Sequence, residues 1–214
     1  MDYLYLHGFA SSPQSAKAQF CHRQLAASER SLHIPDLNQD DFAHLTLTRQ
    51  IHQATTWLAE RDRVTLIGSS LGGLTAAWVA QQPEMQAKVE RLILLAPAFQ
   101  FLHHWLPRLG ADTLTQWQTT GWRSVYHYGL GASVPLHYHF VVDAQSYDET
   151  QLTAPIPTLI LHGRQDEVIP IQASRDYAAH RPWVTLTELD SDHSLGNVQA
   201  DIWSAIESAI SEIS

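Results

Sequence analysis

The sequence has one cysteine, Cys21, and two lysines, Lys17 and Lys88, in 214 residues. A lone cysteine closes no intrachain disulfide, so a reducing cytoplasm fits better than secretion, and Cys21 reads as a small packing residue of a helix. Few lysines and a formal net charge of -9 leave no basic surface for a phosphate backbone or anionic lipid. Neither nucleic acid nor a membrane is an expected partner. No apolar run approaches the roughly 20 residues of a membrane span. Met1-Asp2 leads straight into an apolar stretch with no basic segment or cleavage signal, so no secretory leader is expected. There is no H-E-x-x-H pattern, no internal repeat and no low-complexity segment. The thirteen histidines include two suggestive pairs. His103-His104 are adjacent and should diverge on a helix. His137 and His139 would share one face of a strand, but nothing around them completes a metal site, and none is expected.

What is present is a hydrophobic content of 44%, enough for one well-filled core, and residues 1–214 read as one domain. Short apolar runs alternate with helical patterns, which predicts an α/β protein with a mostly parallel sheet of about six strands and helices on both faces. The expected strands are Tyr3 to Leu6, Ser31 to Ile34, Arg63 to Ile67, Val89 to Leu95, Pro157 to Leu161 and Val184 to Glu188. A first helix should open at Ser12-Pro13, with a capping hydroxyl and a proline at its first position, and run to about Ser28. Further helices are expected over His44 to Glu60, Leu71 to Ala80, Pro170 to His180 and Gly196 to Ile213. From Phe99 to Thr153 the rhythm fails and aromatic residues accumulate. This stretch reads as a lid insertion, residues 99–153, with a hairpin pairing Trp122 to Tyr128 with Leu136 to Val142. The alternative is a surface connection whose aromatics pack on the sheet.

Between the third strand and its helix stands Gly68-Ser69-Ser70-Leu71-Gly72, a Gly-x-Ser-x-Gly pentapeptide. α/β-hydrolases use such a strained strand-to-helix turn to expose a nucleophilic serine, here Ser70. Glycines at 68 and 72 allow backbones to cross without a Cβ between them.

A serine hydroxyl is a weak nucleophile, so it needs an imidazole base, and the base needs an acid to fix its tautomer. In this fold the chain order is serine, acid, histidine. Asp166 follows the strand ending at Leu161 and is the preferred acid, with Asp143 and Glu167 as competitors. His193 lies after the last strand and before the last helix, where the base belongs. Asp190 and Asp192 beside it read as turn or helix caps. The negative oxygen of a tetrahedral intermediate needs preorganised N–H donors. Leu71, after the nucleophile, supplies one; the His7-Gly8-Phe9 turn after the first strand can aim that of Phe9.

The run from Tyr3 to Phe9 continuing through Ser11-Ser12-Pro13-Gln14-Ser15-Ala16-Lys17, with Gly68 to Gly73, His162 to Asp166 and Asp192-His193, resembles the YqiA-like small bacterial esterases of the α/β-hydrolase superfamily. The resemblance implies an α/β-hydrolase fold without the first strands of larger relatives, and hydrolysis of a small-molecule carboxylic ester, thioesters included, with no cofactor. The expected activity is that of a serine esterase acting through Ser70, Asp166 and His193. Acyl-CoA thioester or C–C bond hydrolysis by the same triad is the alternative within enzymes. Cationic residues for a coenzyme A would be Arg108, Arg123 and Arg164. A noncatalytic ligand-binding protein on the same fold is the alternative of another class. Neither substrate nor oligomeric state is legible.

Overall fold

The computed structural model describes residues 1–211. Six strands form one sheet in the order β2-β1-β3-β4-β7-β8: β1 (Asp2–Leu6), β2 (Leu32–His33), β3 (Val64–Ser69), β4 (Val89–Leu95), β7 (Thr158–Gly163) and β8 (Val184–Leu189). Every neighbouring pair in it is parallel. Strand periodicity of two divides the core between its faces. Leu4, Leu6, Leu66, Leu92, Leu94 and Ile160 enter one apolar cluster; Tyr3, Tyr5, Ile67, Ile93, Leu95 and Leu161 enter the other. The first face is covered by α2 (Leu47–Ala59), α3 (Leu71–Gln81) and α8 (Ile171–Ala179), the second by α1 (Ala16–Ala27) and α9 (Gln199–Ser211). Cys21 is a buried residue of α1 itself.

Elements differ from expectation where local chemistry intervenes. The Ser12 hydroxyl accepts from Gln14 N and the Ser12 carbonyl from Ser15 N. Ser12-Pro13 therefore closes a turn, and α1 starts three residues after the proline. Thr46 accepts from Arg49 N and starts α2 at Leu47, after a single 3-10 turn at Phe42–His44. A short helix, α4 (Pro83–Gln86), was not foreseen. The last helix is preceded by a 3-10 turn at Gly196–Val198; the expected end at Ile213 lies outside the described residues.

Between β4 and β7 the chain makes α5 (Phe101–Trp105), α6 (Ala111–Thr120), the hairpin β5 (Trp122–His127) with β6 (Ala132–His137), and α7 (His139–Gln145). The hairpin exists, but its second strand is not Leu136 to Val142. His127 O accepts from Leu130 N and Gly131 N, and the ring of His127 accepts from Leu130 N. The turn thus closes immediately after His127, and Val125 pairs with Val134. Beyond β6, Phe140, Val141 and Ala144 are buried at helical spacing, so that stretch is α7. His137 therefore ends a strand while His139 begins a helix, and they share no strand face. The rings of His103 and His104 do not diverge as expected either: they meet edge-on at 5.2 Å on the short α5. No described helix is long and apolar enough to cross a membrane.

Candidate active site

The carboxyl ends of β1, β3, β7 and β8 converge on one cleft. At the end of β3, Ser70 is held at φ 53° and ψ -120°, a conformation costing a non-glycine residue of order 1–3 kcal/mol. The turn is clamped on both sides. Ser70 N donates to Leu95 O, and Ser70 O accepts from Gly73 N and Ala98 N. A Cβ on Gly68 would stand 2.4 Å from Gly72 O, and one on Gly72 would stand 2.1 Å from Leu6 O. The two glycines are required by this crossing of β1, β3 and α3. Ser69 is buried, whereas Ser70 faces the cleft.

His193, in the loop after β8, places Nε2 at 3.1 Å from Ser70 Oγ and Nδ1 at 2.7 Å from Asp166 Oδ2. Nδ1–H donates to the carboxylate, leaving the Nε2 lone pair to accept the serine proton. The fold thus brings together the three residues that chain order had suggested. Of the competing acids, Asp143 accepts from the backbone N and hydroxyl of Thr48, away from His193. Glu167 lines the cleft without bonding to His193. Asp192 accepts from the backbone N and hydroxyl of Ser194, and Asp190 from Gln165, so both shape the loop.

Two supporting residues had no role in the sequence reading. His162, fully buried at the end of β7, places Nε2 3.0 Å from Asp166 Oδ2 and 3.0 Å from Ile169 O, while its Nδ1 meets the Ser174 hydroxyl at 2.7 Å. Asp166 Oδ1 accepts from the N–H groups of Val168 and Ile169, each at 2.8 Å. Burial alone would raise the Asp166 carboxyl. Hydrogen bonds from His162 and His193, the charge of His193 and the Ile169 N–H overcome it and hold the carboxyl far below the ordinary range. Lys17, on α1, donates to His193 O at 3.2 Å. Burial lowers its amine to about 8, with Asp166 and Asp192 resisting the shift. Its signal in the sequence was rarity, one of two lysines; that of His162 was a polar residue at the end of a buried strand.

Phe9 and Leu71 both line the cleft beside Ser70, and the backbone N–H of neither has an acceptor among the described residues. The cleft has two lobes. A narrow apolar one of about 130 Å³ runs between Phe101, Phe140, Ile169 and Ala98. A wider one of about 590 Å³ includes His193, Lys17 and the hairpin residues Arg123, Ser124 and Tyr126. Phe9, Trp105, Val168 and Ser70 border both. Phe9 packs on Phe42, Trp105 and Phe140 at centroid separations of 5.2 to 5.6 Å, which fixes the ring dividing the lobes. No cluster of three or more metal-ligating side chains occurs among the described residues.

Solved structures share this architecture. Alpha/beta hydrolase domain-containing protein 10 from mouse superposes with a TM-score of 0.82 at 20% identity, covering 100% of this chain and 90% of its own. Est1E from Butyrivibrio proteoclasticus, solved with ferulic acid bound, gives 0.77 at 19% identity over 98% and 88%. Est816, described as an N-acyl homoserine lactone degrading enzyme, gives 0.71 at 15% over 97% and 92%. At these identities the likeness shows the α/β-hydrolase fold. The sequence also matches the model of the uncharacterised protein family UPF0227 over residues 2–209, and the chain therefore belongs to that YqiA-like family.

Proposed function

We propose that the protein is a serine esterase that hydrolyses carboxylic esters through an acyl-enzyme. The observation that carries this reading is the continuous chain from Asp166 through His193 to Ser70, with spacings of 2.7 and 3.1 Å. Ser70 Oγ attacks the ester carbonyl as His193 Nε2 takes its proton. The Asp166 carboxylate holds the tautomer and stabilises the imidazolium. The carbonyl oxygen becomes an oxyanion facing the Phe9 and Leu71 N–H groups. Collapse breaks the bond to the alcohol oxygen, which leaves with the proton from His193. Water then attacks the acyl-serine, giving its proton to His193, and the released acid regenerates Ser70.

An ester reading is favoured over an acyl-CoA one by the arginines. Arg108 is used on the backbone oxygens of Glu167 and Val168, and Arg164 pairs with Glu188. Of these three arginines, only Arg123 lines the cleft with no hydrogen-bond acceptor among the described residues. The deciding experiment is Ser70→Ala assayed on short and medium p-nitrophenyl esters, with fluorophosphonate labelling of the parent protein. Losing the nucleophile should lower turnover about a million-fold. Hydrolysis retained by the folded variant overturns Ser70 as the nucleophile, and no labelling of Ser70 overturns the reading in favour of a noncatalytic binder.

A further inference from the structure

Arg123 sits on β5, directly across from Leu136. Its guanidinium carbon lies 6.0 Å from the ring centre of Trp105 and 5.7 Å from that of Trp117, within cation–π range. Trp117 is itself fixed, because its indole N–H donates to Leu136 O at 3.0 Å. The side chain is therefore held in place by its surroundings. Yet the guanidinium has no hydrogen-bond acceptor among the described residues: Nη1 is closed off from solvent, so the Nε–Nη2 edge is the one that can meet a ligand in the lobe. A half-buried guanidinium with no acceptor forfeits charge-assisted hydrogen bonds worth having.

The other cation of the wide lobe behaves differently. Lys17 donates to His193 O and lies in the field of Asp166 and Asp192. Glu167 also lines the lobe, but it makes no ion pair with Arg123. Arg123 is thus the cation of the lobe with no hydrogen-bond acceptor among the described residues, beside the carboxylates of Glu167 and Asp192.

The mechanism fixes which part of a substrate meets it. His193 must protonate the departing alcohol oxygen, so the alcohol portion lies on the side of His193. His193 borders the wide lobe and not the narrow one. The acyl portion then occupies the narrow apolar lobe, and the alcohol portion extends toward Arg123. We propose that the substrate is an ester of a small apolar acid with an alcohol that carries a carboxylate, and that Arg123 binds that carboxylate. A planar guanidinium suits a carboxylate because it can offer two parallel N–H donors. The proposal rests on Ser70 being the nucleophile.

The test compares 4-acetoxybenzoate with neutral 4-acetoxybenzamide, each rate normalised to uncatalysed hydrolysis, in the parent protein and in Arg123→Gln. The parent should prefer the anion by about tenfold to a hundredfold in kcat/KM, the range for one hydrogen bond to a charged group. Arg123→Gln should abolish the preference, with the loss falling on the anion. Equal rates on both substrates, or equal losses on both in the variant, overturn the proposal and leave Ser70 as nucleophile. Hydrolysis of neither, with fluorophosphonate unreactive, removes both readings. An Arg123→Gln loss confined to acetyl-CoA assigns the guanidinium to a phosphate and also overturns the proposal. Because Arg123 packs on two tryptophans, its replacement could unfold the hairpin. Competitive inhibition of the parent protein by 4-hydroxybenzoate, at least about tenfold tighter than by 4-hydroxybenzamide, is the expected result that needs no variant; equal inhibition overturns the proposal.

Discussion

The Lys17 ammonium donates to the carbonyl oxygen of His193 across 3.2 Å, tying the first helix of the chain to the loop after β8. The contact joins residues 176 positions apart. It makes Lys17 a positioning residue, because it holds the backbone that carries the imidazole rather than any reacting atom.

Lys17→Met should lower kcat by about tenfold, the cost of one hydrogen bond made by a charged group, with little change in KM. The pH dependence distinguishes positioning from general damage. Burial brings the amine down to about 8 from 10.5, so the parent's kcat should decline as pH rises through about 8, and the variant's decline should be absent. Stability has the opposite sign. Between about 8 and 10.5 the unfolded chain holds a proton that the folded one has shed, so the Lys17 contribution to stability rises with pH there. Thermal melting of both proteins across that window, alongside kcat, checks both signs.

Glu149 is expected to limit stability at neutral pH and above. Burial raises its carboxyl to about 7 from 4.5, against the Gln100 N–H that it accepts and with Asp148 nearby. Between those values the folded state holds a proton the unfolded chain has lost, so stability falls as pH rises through the window. Glu149→Gln should raise the melting midpoint at pH 8 by about 2–4 °C, the effect of roughly 1 kcal/mol in a domain of this size. At pH 5 it should change little. An equal gain at both pH values would show that charge is not the cause.

Gly72→Ala should destabilise the protein by at least about 3 kcal/mol, since its Cβ meets the backbone of Leu6 and His7 and no side chain can rotate away. Gly8→Ala is the control. Its Cβ meets Ser70 Cβ at 3.3 Å, so the damage should fall on activity more than on the urea midpoint. Denaturation and esterase assays of both variants separate the two outcomes.

His162→Phe removes a donor to Asp166 and leaves the Ser174 hydroxyl without its ring partner. With Asp166 less firmly held, kcat should fall about tenfold while KM stays constant. A matching rise in KM would indicate collapse of the cleft instead.

The central sheet was legible because each strand is a short apolar run bounded by turn residues, and parallel burial on both faces leaves few alternatives. Ser70, Asp166 and His193 were legible for a topological reason: each stands at the carboxyl end of a strand in the order the fold demands. The segment between β4 and β7 was not. Its helices are short, its buried positions are few, and the His127 ring that closes the hairpin turn has no sequence signature. Lys17 escaped because its partner, His193, lies 176 positions away and meets it only in the fold; His162 escaped because its contact with Asp166, four residues on, depends on how the loop after β7 turns back. The lack of an acceptor for Arg123 is likewise a property of surroundings, visible once Trp105 and Trp117 are placed around it.

Position 9 combines two duties on different parts of one residue. In the proposed mechanism its backbone N–H faces the oxyanion, while its ring divides the lobes and packs on Phe42, Trp105 and Phe140. Every amino acid except proline carries that N–H. Substrate range can therefore drift by substitution at residue 9 without erasing the donor. Natural variation or directed evolution that reshapes the acyl lobe should accumulate at this residue, while proline alone should be purged from it.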